Sequence, residues 1–293
     1  MQLVNPFDQP GKWYKANFHT HTTTSDGRVS PPDRCEEYRR AGYHVLALTD
    51  HRKTNDVSGF SRKNFLVVSG MEYHPRCPNS PDPYHMVAVN VPLGFTLDES
   101  ALDANACIAA VKKAGGETIL AHPLWCGQRY DQYSHLRGYV ALEVFNSTCD
   151  KIGRSTSEGD WCHHCDDGRI IPAVAVDDAH CDDAFEGWTW LRLPELTVPA
   201  VLHALRTGCG FSSSGPKIHD FGIRDGKVVV RCSPAVSVHL VANTCRGSRR
   251  RAEPGKLLRG AEFPVGKDWR YIRAVVTDER GHKAWANPII LQP

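Results

Sequence analysis

The sequence predicts an α/β fold with a parallel sheet, open or closed into a barrel, followed by a small all-β region. From residue 13 to about 215, apolar strand-like runs alternate with helix-like stretches, a pattern typical of parallel sheets. After the run SSSGP at residues 212–216, short β-rich runs take over and no amphipathic helix of useful length follows. We therefore expect two domains, residues 1–215 and residues 216–293.

The first region contains eight runs that predict strands because they are short, apolar and rich in β-branched residues. These runs are Tyr14–Phe18, His44–Thr49, Phe65–Ser69, His85–Asn90, Glu117–Ala121, Val140–Phe145, Ile170–Val176 and Gly187–Leu193. Helices are predicted at Pro31–Gly42, Ala101–Ala114 and Leu196–Thr207. Proline opens the first of them, and glycine follows or closes each one, as is common at helix ends.

The second region reads as a small β-sandwich. Its strand candidates are Lys227–Cys232, Val236–Val241 and Tyr271–Thr277, with turn signals at Asp225-Gly226 and Arg280-Gly281. We expect this region to cover a site in the first domain or to mediate self-association.

The composition is that of an ordinary soluble globular protein. The 293 residues are 41% hydrophobic and 23% charged, and the net charge is +2, so neither nucleic acid nor membrane is an expected partner. The first residues lack the apolar segment of a secretory signal. The eleven cysteines are scattered without a framework, which predicts reduced thiols and a cytoplasmic location.

Polar residues with metal-binding chemistry follow the predicted strands. His19 and His21 close the first run, and alternate residues of a strand share a face. Other such residues end later runs: His51, Glu72, His122, Asp178 and His180. A single histidine would more often be a surface or core residue, but five successive strand ends favour a metal site at the edge where parallel strands build active sites. His85 begins its run, so its strand is expected to enter from the opposite direction.

The motifs resemble those of the PHP (polymerase and histidinol phosphatase) superfamily of metal-dependent phosphoesterases. The similarity rests on the order and spacing of FHTHTTTSDG, LALTDH, GME, HMVAVN, AHP and DDAH, and it covers residues 15 to about 215. The resemblance implies a distorted seven-stranded β/α barrel, TIM-like, that holds two or three metal ions. The C-terminal β-region is similar to one attached to some PHP proteins, including those grouped with carbaryl hydrolase.

Carried over by position, the resemblance implies three sets of metal ligands. The first set is His19, His21, Glu72 and Asp178, and Glu72 bridges to a second metal held by His85 and His122. The third set is Asp26, His51 and His180, which we also expect to be the catalytic residues. His74 is the alternative to His85, because it lies two residues beyond Glu72 and shares its strand face.

The expected cofactors are two or three divalent ions of Zn, Mn or Fe, since imidazoles and carboxylates suit all three. A metal-bound hydroxide would then attack a phosphate ester of a small molecule or nucleotide. Two alternatives stay open. The same hydroxide could cleave a carbamate, ester or amide, or the chain could be a non-catalytic metal-binding protein.

Substrate-binding candidates lie near the same edge. Glu143 and Asn146 fall at the end of the run ALEVFN, where they would support ligands or bind substrate. Arg52 follows His51 directly and is a candidate for contacting a phosphate. These residues complete the predicted site of a metal-dependent hydrolase with a small-molecule phosphoester substrate.

Overall fold

The computed structural model describes residues 2–181 and 185–291, which form strands, α-helices and two short 3₁₀ helices. The α-helices are α1 (Pro31–Arg40), α2 (Ala104–Lys113), α3 (Tyr130–Tyr133), α4 (Glu158–Asp166) and α5 (Val198–Thr207). The strands of the first region are β1 (Lys12–Asn17), β2 (Val45–Leu48), β3 (Leu66–Tyr73), β4 (Met86–Val89), β5 (Glu117–Leu120), β6 (Ala141–Asn146), β7 (Ala173–Val176), β8 (Trp188–Leu193) and β9 (Gly210–Ser213). The later strands are β10 (Ile218–Arg224), β11 (Lys227–Ala235), β12 (Ser237–Val241), β13 (Gly247–Arg251), β14 (Leu258–Pro264), β15 (Tyr271–Thr277), β16 (Lys283–Ala286) and β17 (Ile289–Ile290). The 3₁₀ helices are Pro6–Asp8 and Thr148–Ile152.

The first seven strands lie side by side in chain order, so the predicted α/β architecture is confirmed. The pairs β1–β2, β2–β3, β5–β6 and β6–β7 are parallel. Strand β4 is antiparallel to both β3 and β5. This reversal brings His85, which precedes β4, to the edge where the parallel strands have their carboxyl ends.

The TIM-like barrel is not confirmed, because the described strands form an open sheet with β7 at one end. Beside β7, the Thr189 hydroxyl of β8 accepts from Ala175 N and donates to Ala175 O, both at 3.0 Å. The hydroxyl thus satisfies the backbone N–H and C=O of Ala175, which would otherwise pair with the backbone of a neighbouring strand. Beyond the strands, one parallel bridge between Thr20 and Ala179 links the chain after β1 to the chain after β7.

The helices begin and end where their capping residues dictate. Ser30 caps α1 by accepting from Asp33 N, and Asp103 caps α2 by accepting from Ala106 N at 2.8 Å. Helix α2 therefore begins three residues later than predicted, because the aspartate side chain fixes the first turn. Gly208, at a φ of 66°, ends α5 in the left-handed conformation that glycine adopts without strain.

The chain after residue 215 is all-β among its described residues, but it continues the main sheet. Strand β16 pairs with β9, and β15, β12 and β13 follow in order. Strands β10, β11 and β14 form a separate antiparallel sheet that shares one apolar core with the others. The division at residues 215 and 216 stays a prediction. No helix of the described residues is long and apolar enough to cross a membrane.

We predict that Trp285→Ala destabilises the fold by about 3–5 kcal/mol, because the mutation removes a large side chain from a packed core. The indole is 1% exposed and stacks on Phe145 at 5.8 Å between ring centroids, joining β16 to β6. Urea denaturation measures the change in unfolding free energy. Leu257→Ala is the control, since Leu257 is 43% exposed, and a comparable loss there would argue against the packing explanation.

Candidate metal centre

The nine predicted ligand residues meet at one edge of the sheet. His19 and His21 follow β1, His51 follows β2, Glu72 ends β3, His122 follows β5, and Asp178 and His180 follow β7. His85 enters from reversed strand β4, and Asp26 comes from the loop after His21. His122 and Asp178 have positive φ values of 24° and 56°, which non-glycine residues adopt mainly where the surrounding structure imposes them.

The first predicted ligand set converges on two carboxylate oxygens. His19 Nε2 and His21 Nε2 lie 3.2 and 2.9 Å from Asp178 Oδ1. The same two nitrogens lie 3.4 and 3.5 Å from Glu72 Oε2. All four side chains are buried, so the arrangement concentrates donor atoms at one point away from bulk water.

The other oxygen of Glu72 faces the second predicted set. His85 Nδ1 lies 2.7 Å from Glu72 Oε1, and His122 Nε2 lies 3.6 Å from it. His74 Nε2 is 3.5 Å from the same oxygen. The structure thus brings both His85 and its alternative, His74, to this carboxylate, and His85 makes the shorter contact.

The third predicted set lies at the open side of the cluster. Asp26 Oδ2 is 3.4 Å from both His51 Nε2 and His180 Nε2. His51 also reaches Glu72 through Nδ1 at 2.8 Å, so it connects this set to the others. The side chains of His51 and His180 are about one quarter exposed, and Asp26 is about half exposed.

The cluster leaves buried polar atoms unsatisfied in a way that fits divalent metal ions. These atoms make no well-aligned hydrogen bond among the described residues, although several of them lie close to a carboxylate oxygen: His19 Nε2, His21 Nδ1 and Nε2, His51 Nδ1, His74 Nδ1 and Asp178 Oδ1. Each buried unsatisfied group costs about 1–3 kcal/mol. Converging imidazole nitrogens and carboxylate oxygens at these spacings are a donor set that Zn, Mn or Fe would satisfy.

The charges in the cluster shift its ionisation. Burial acts to lower the pKa of His19, but the carboxylates of Asp178, Glu143 and Glu72 outweigh it and raise that pKa well above its ordinary value. Burial lowers the pKa of His21, because its carboxylate neighbours do not offset desolvation. Although burial favours the neutral acid, His19 and other nearby imidazoles hold the pKa of Glu72 well below its usual range. Glu72 is therefore an anion at neutral pH.

Glu143 and Asn146 lie behind the ligands. Glu143 Oε1 is 2.7 Å from His19 Nδ1, which leaves Nε2 of that ring facing the centre. Asn146 Nδ2 donates to Glu143 Oε2 at 3.0 Å and to Asp178 Oδ2 at 3.2 Å. Both residues are 1% exposed and hold ligand side chains in place. Their predicted contact with substrate stays a prediction.

Arg52 lies at the protein surface. Its Nε donates to Glu99 Oε2 at 2.7 Å, and the side chain is 58% exposed. The backbone has a φ of 56°, directly after His51. The sequence gives no indication of this direction, and contact between Arg52 and substrate also stays a prediction.

Asp50 fixes the loop that carries Asp26, although it was not among the predicted site residues. It accepts from the backbone N and hydroxyl of Thr22, from Ser25 and from Asn55, at 2.6–3.1 Å. Gly27 closes the loop, since a Cβ there would lie 2.6 Å from Thr22 N. The signal for Asp50 was its place before His51 in TDH.

Asp177 plays the same part at the other side of the cluster. Its carboxylate accepts from Asn17 Nδ2 and Tyr38 Oη at 2.7 Å and from Gly187 N at 2.7 Å. Burial raises the pKa of Asp177, and the hydrogen bonds from Tyr38 and Gly187 N oppose the shift. The residue anchors the segment that presents Asp178. Its place in the DDAH motif was the available signal.

A cavity of about 300 Å³ opens onto the cluster. Its lining consists of Asp26, His51, Glu72, His85, His122, Trp125, Thr148, Cys149, Asp178 and His180. A larger cleft of about 690 Å³ lies between β6, β8 and the turn before β16, and it contains none of the nine predicted ligands. The smaller cavity is the candidate site because predicted ligand residues line it, whereas the larger cleft has none.

No protein-family model matches the chain, and no curated protein sequence matches it either. A solved structure from Bacteroides vulgatus, a two-domain protein containing a predicted PHP-like metal-dependent phosphoesterase, is 16% identical with a TM-score of 0.54. The match covers 99% of this chain and 98% of that one. The resemblance to the PHP superfamily is confirmed at the level of the fold.

Two further solved structures are more distant. An amidohydrolase from Chromobacterium violaceum, with bound sulfate and no metal, is 15% identical over 65% of this chain and 96% of that one, with a TM-score of 0.48. A proposed metal-dependent phosphoesterase from Bifidobacterium adolescentis is 16% identical over 58% of this chain and 88% of that one, with a TM-score of 0.41.

We predict that Glu143→Gln weakens Zn²⁺ binding about 10- to 100-fold, because the amide holds the His19 ring less firmly than a carboxylate does. Isothermal titration calorimetry of metal-free protein measures the affinity. Glu253→Gln is the control, since Glu253 is exposed in the C-terminal region. Equal affinities of the Glu143 variant and the wild type would show that this contact does not support a metal ligand.

We also predict that Zn²⁺ binding releases protons and weakens as the pH falls. Neighbouring carboxylates raise the pKa of His19, so its ring keeps a proton that must leave before Nε2 can bind a metal. Proton release in a weakly buffered solution should be larger at pH 6 than at pH 8. Uptake of protons, or an affinity independent of pH, would contradict this account of His19.

Proposed function

We propose that this protein is a metal-dependent hydrolase, and specifically a phosphoesterase that cleaves a phosphate ester of a small molecule or nucleotide. One observation carries the proposal. Imidazole nitrogens and a carboxylate oxygen that make no well-aligned hydrogen bond converge in a buried cluster beside an open cavity. The fold shared with the Bacteroides vulgatus protein supports it. Because the cavity gives a substrate access to the buried cluster, the arrangement favours catalysis over a purely structural metal site.

Three sets of residues would hold the ions. His19, His21 and Asp178 form one set with Glu72 Oε2, and His85 and His122 form another with Glu72 Oε1, with His74 close by. Asp26, His51 and His180 form the third. When bound, Zn, Mn or Fe ions would acidify water and offset the negative charge of a phosphate group.

The chain's own residues set up this chemistry from two sides. Burial acts to raise the pKa of Asp26, but His51, His180 and His21 outweigh it and lower that pKa. The carboxylate is therefore ionised at neutral pH. Asp26, His51 and His180 face the cavity and are our proposed catalytic residues. Behind them, Glu143 accepts from His19 Nδ1, so the proton that leaves the ring on metal binding is the one on Nε2.

We propose that residues 1–215 form a PHP-type catalytic unit, with the ends of β1 and β7 drawn together by the bridge between Thr20 and Ala179. Residues 216–293, which are all-β where the structure describes them, would cover its flank. No disulfide joins cysteines within the described residues, which supports a reducing compartment such as the cytoplasm as part of the proposal. Self-association remains part of the proposal.

A carbonyl-directed hydrolase is the second candidate, favoured by one feature of the cavity. Among the described residues that line it, acidic side chains and histidines are present, but no arginine or lysine is. A phosphate group normally recruits such cations, whereas a carbamate, ester or amide needs fewer positive contacts. Only a substrate panel separates these two reactions on the same cluster.

We predict that metal-replete protein binds two or three divalent ions and hydrolyses phosphate esters. His51→Ala or Glu72→Gln should lower kcat/KM by about 10²-fold or more, because each removes a group that touches two parts of the cluster. Metal analysis and a panel of phosphomonoesters, phosphodiesters, carbamates and aryl esters under Mn, Zn and Fe measure the outcome.

His203→Ala is the matched control, since His203 is exposed on α5, away from the cluster. Hydrolysis of carbonyl esters alone would select the second candidate. Bound metal without hydrolysis of any substrate would select the non-catalytic metal-binding protein. Absence of bound metal from folded, metal-replete protein would overturn the proposal as a whole.

A further inference from the structure

A large aromatic side chain stands exposed at the rim of the candidate site. Trp125 is 40% exposed, and it lines the same cavity as His85, His122 and Asp178. An exposed tryptophan beside a catalytic cavity is informative, because burying such a ring would otherwise stabilise the fold. Its position on the cavity wall makes it a candidate for contact with a substrate.

The indole is held at the rim by the turn that follows His122. Trp125 N donates to His122 O at 2.9 Å, and Arg154 Nη1 donates to Trp125 O at 3.4 Å. The ring centroid lies 5.2 Å from that of His122 and 5.6 Å from that of His85, at angles of 81° and 65°. Both imidazoles meet the indole in T-shaped geometry, and its 40% exposure leaves ring surface that a further aromatic partner could contact.

The remaining lining gives a substrate few other anchors for its non-reacting part. Asp26, His51, His180 and the other ligand residues would be engaged with metal ions. The other lining side chains are Thr148 and Cys149, which are small. A volume of about 300 Å³ is at the lower end for small-molecule sites, enough for one ring and the reacting ester.

We propose that Trp125 is a specificity residue that stacks on a planar aromatic group next to the scissile ester, so that the substrates are esters of aryl or arylmethyl alcohols. This inference rests on the proposed hydrolase function and names its substrate class. The ester group lies toward the metal ligands, and the aromatic group lies against the indole. The same contact serves a phosphate ester or a carbonyl ester.

The test compares benzyl phosphate with cyclohexylmethyl phosphate, which have similar size and reactivity and differ in the planarity of the ring. The wild type should have the lower KM for the benzyl ester. Trp125→Ala should raise that KM about 3- to 10-fold, the range expected from loss of an aromatic pair. It should leave kcat nearly unchanged and raise the KM for the cyclohexylmethyl ester by less, because a saturated ring loses apolar contact but no stacking, whereas Trp125→Phe should keep the preference for the benzyl ester.

Leu124→Ala is the matched control, because Leu124 is the preceding residue, is also 40% exposed and does not line the cavity. Metal content is measured for every variant, since Trp125 touches two predicted ligands. Equal losses for both esters, or the same effect from Leu124→Ala, would overturn the proposal.

Benzylphosphonate, which is not hydrolysed, tests the inference separately from the reaction. Its affinity for the metal-loaded wild type should exceed that of cyclohexylmethylphosphonate, and Trp125→Ala should abolish the difference. If no ester is hydrolysed but this difference is present, the aromatic contact stands and the proposed reaction fails. If hydrolysis occurs without any preference for the benzyl compounds, the reaction stands and the role of Trp125 fails.

Discussion

The carboxylate of Glu72 connects the separate parts of the cluster. Its Oε2 faces His19 and His51, which follow β1 and β2. Its Oε1 faces the histidines beside β3, β4 and β5, which are His74, His85 and His122. Because Glu72 is 1% exposed, its charge is stable only while cationic groups surround it on both sides. The segments that border β1 to β5 therefore meet around one buried anion.

Three further buried carboxylates hold the ligands in place without facing the cavity. Glu143 orients His19, Asp50 shapes the loop before Asp26, and Asp177 anchors the segment before Asp178. Each accepts several hydrogen bonds, which offset the cost of burying a charged group. The donors to these carboxylates are backbone N–H groups, hydroxyls and side chains, among them the amides of Asn17, Asn55 and Asn146.

Much of the fold and the meeting of the predicted ligands could be predicted from strand ends, because side chains at the carboxyl ends of neighbouring strands share an edge. The position of His85 before its strand even predicted the reversal of β4. The open edge at β7 could not be predicted, since the contact found there is made by the side-chain hydroxyl of Thr189, a residue without a sequence signal. The directions of Arg52 and Trp125 depend on turns with local backbone geometry, which residue spacing does not determine.

Strand β9 lies between β8 and β16, so its two sides are paired by segments on opposite sides of residue 215. A chain ending at residue 215 would contain every predicted ligand and yet carry a bare strand, with Phe211 uncovered beside it. Exposed strand edges of this kind recruit other chains and lead to aggregation. The strands after residue 215 therefore protect an edge of the first region, and residues 1–215 produced alone are expected to associate through β9.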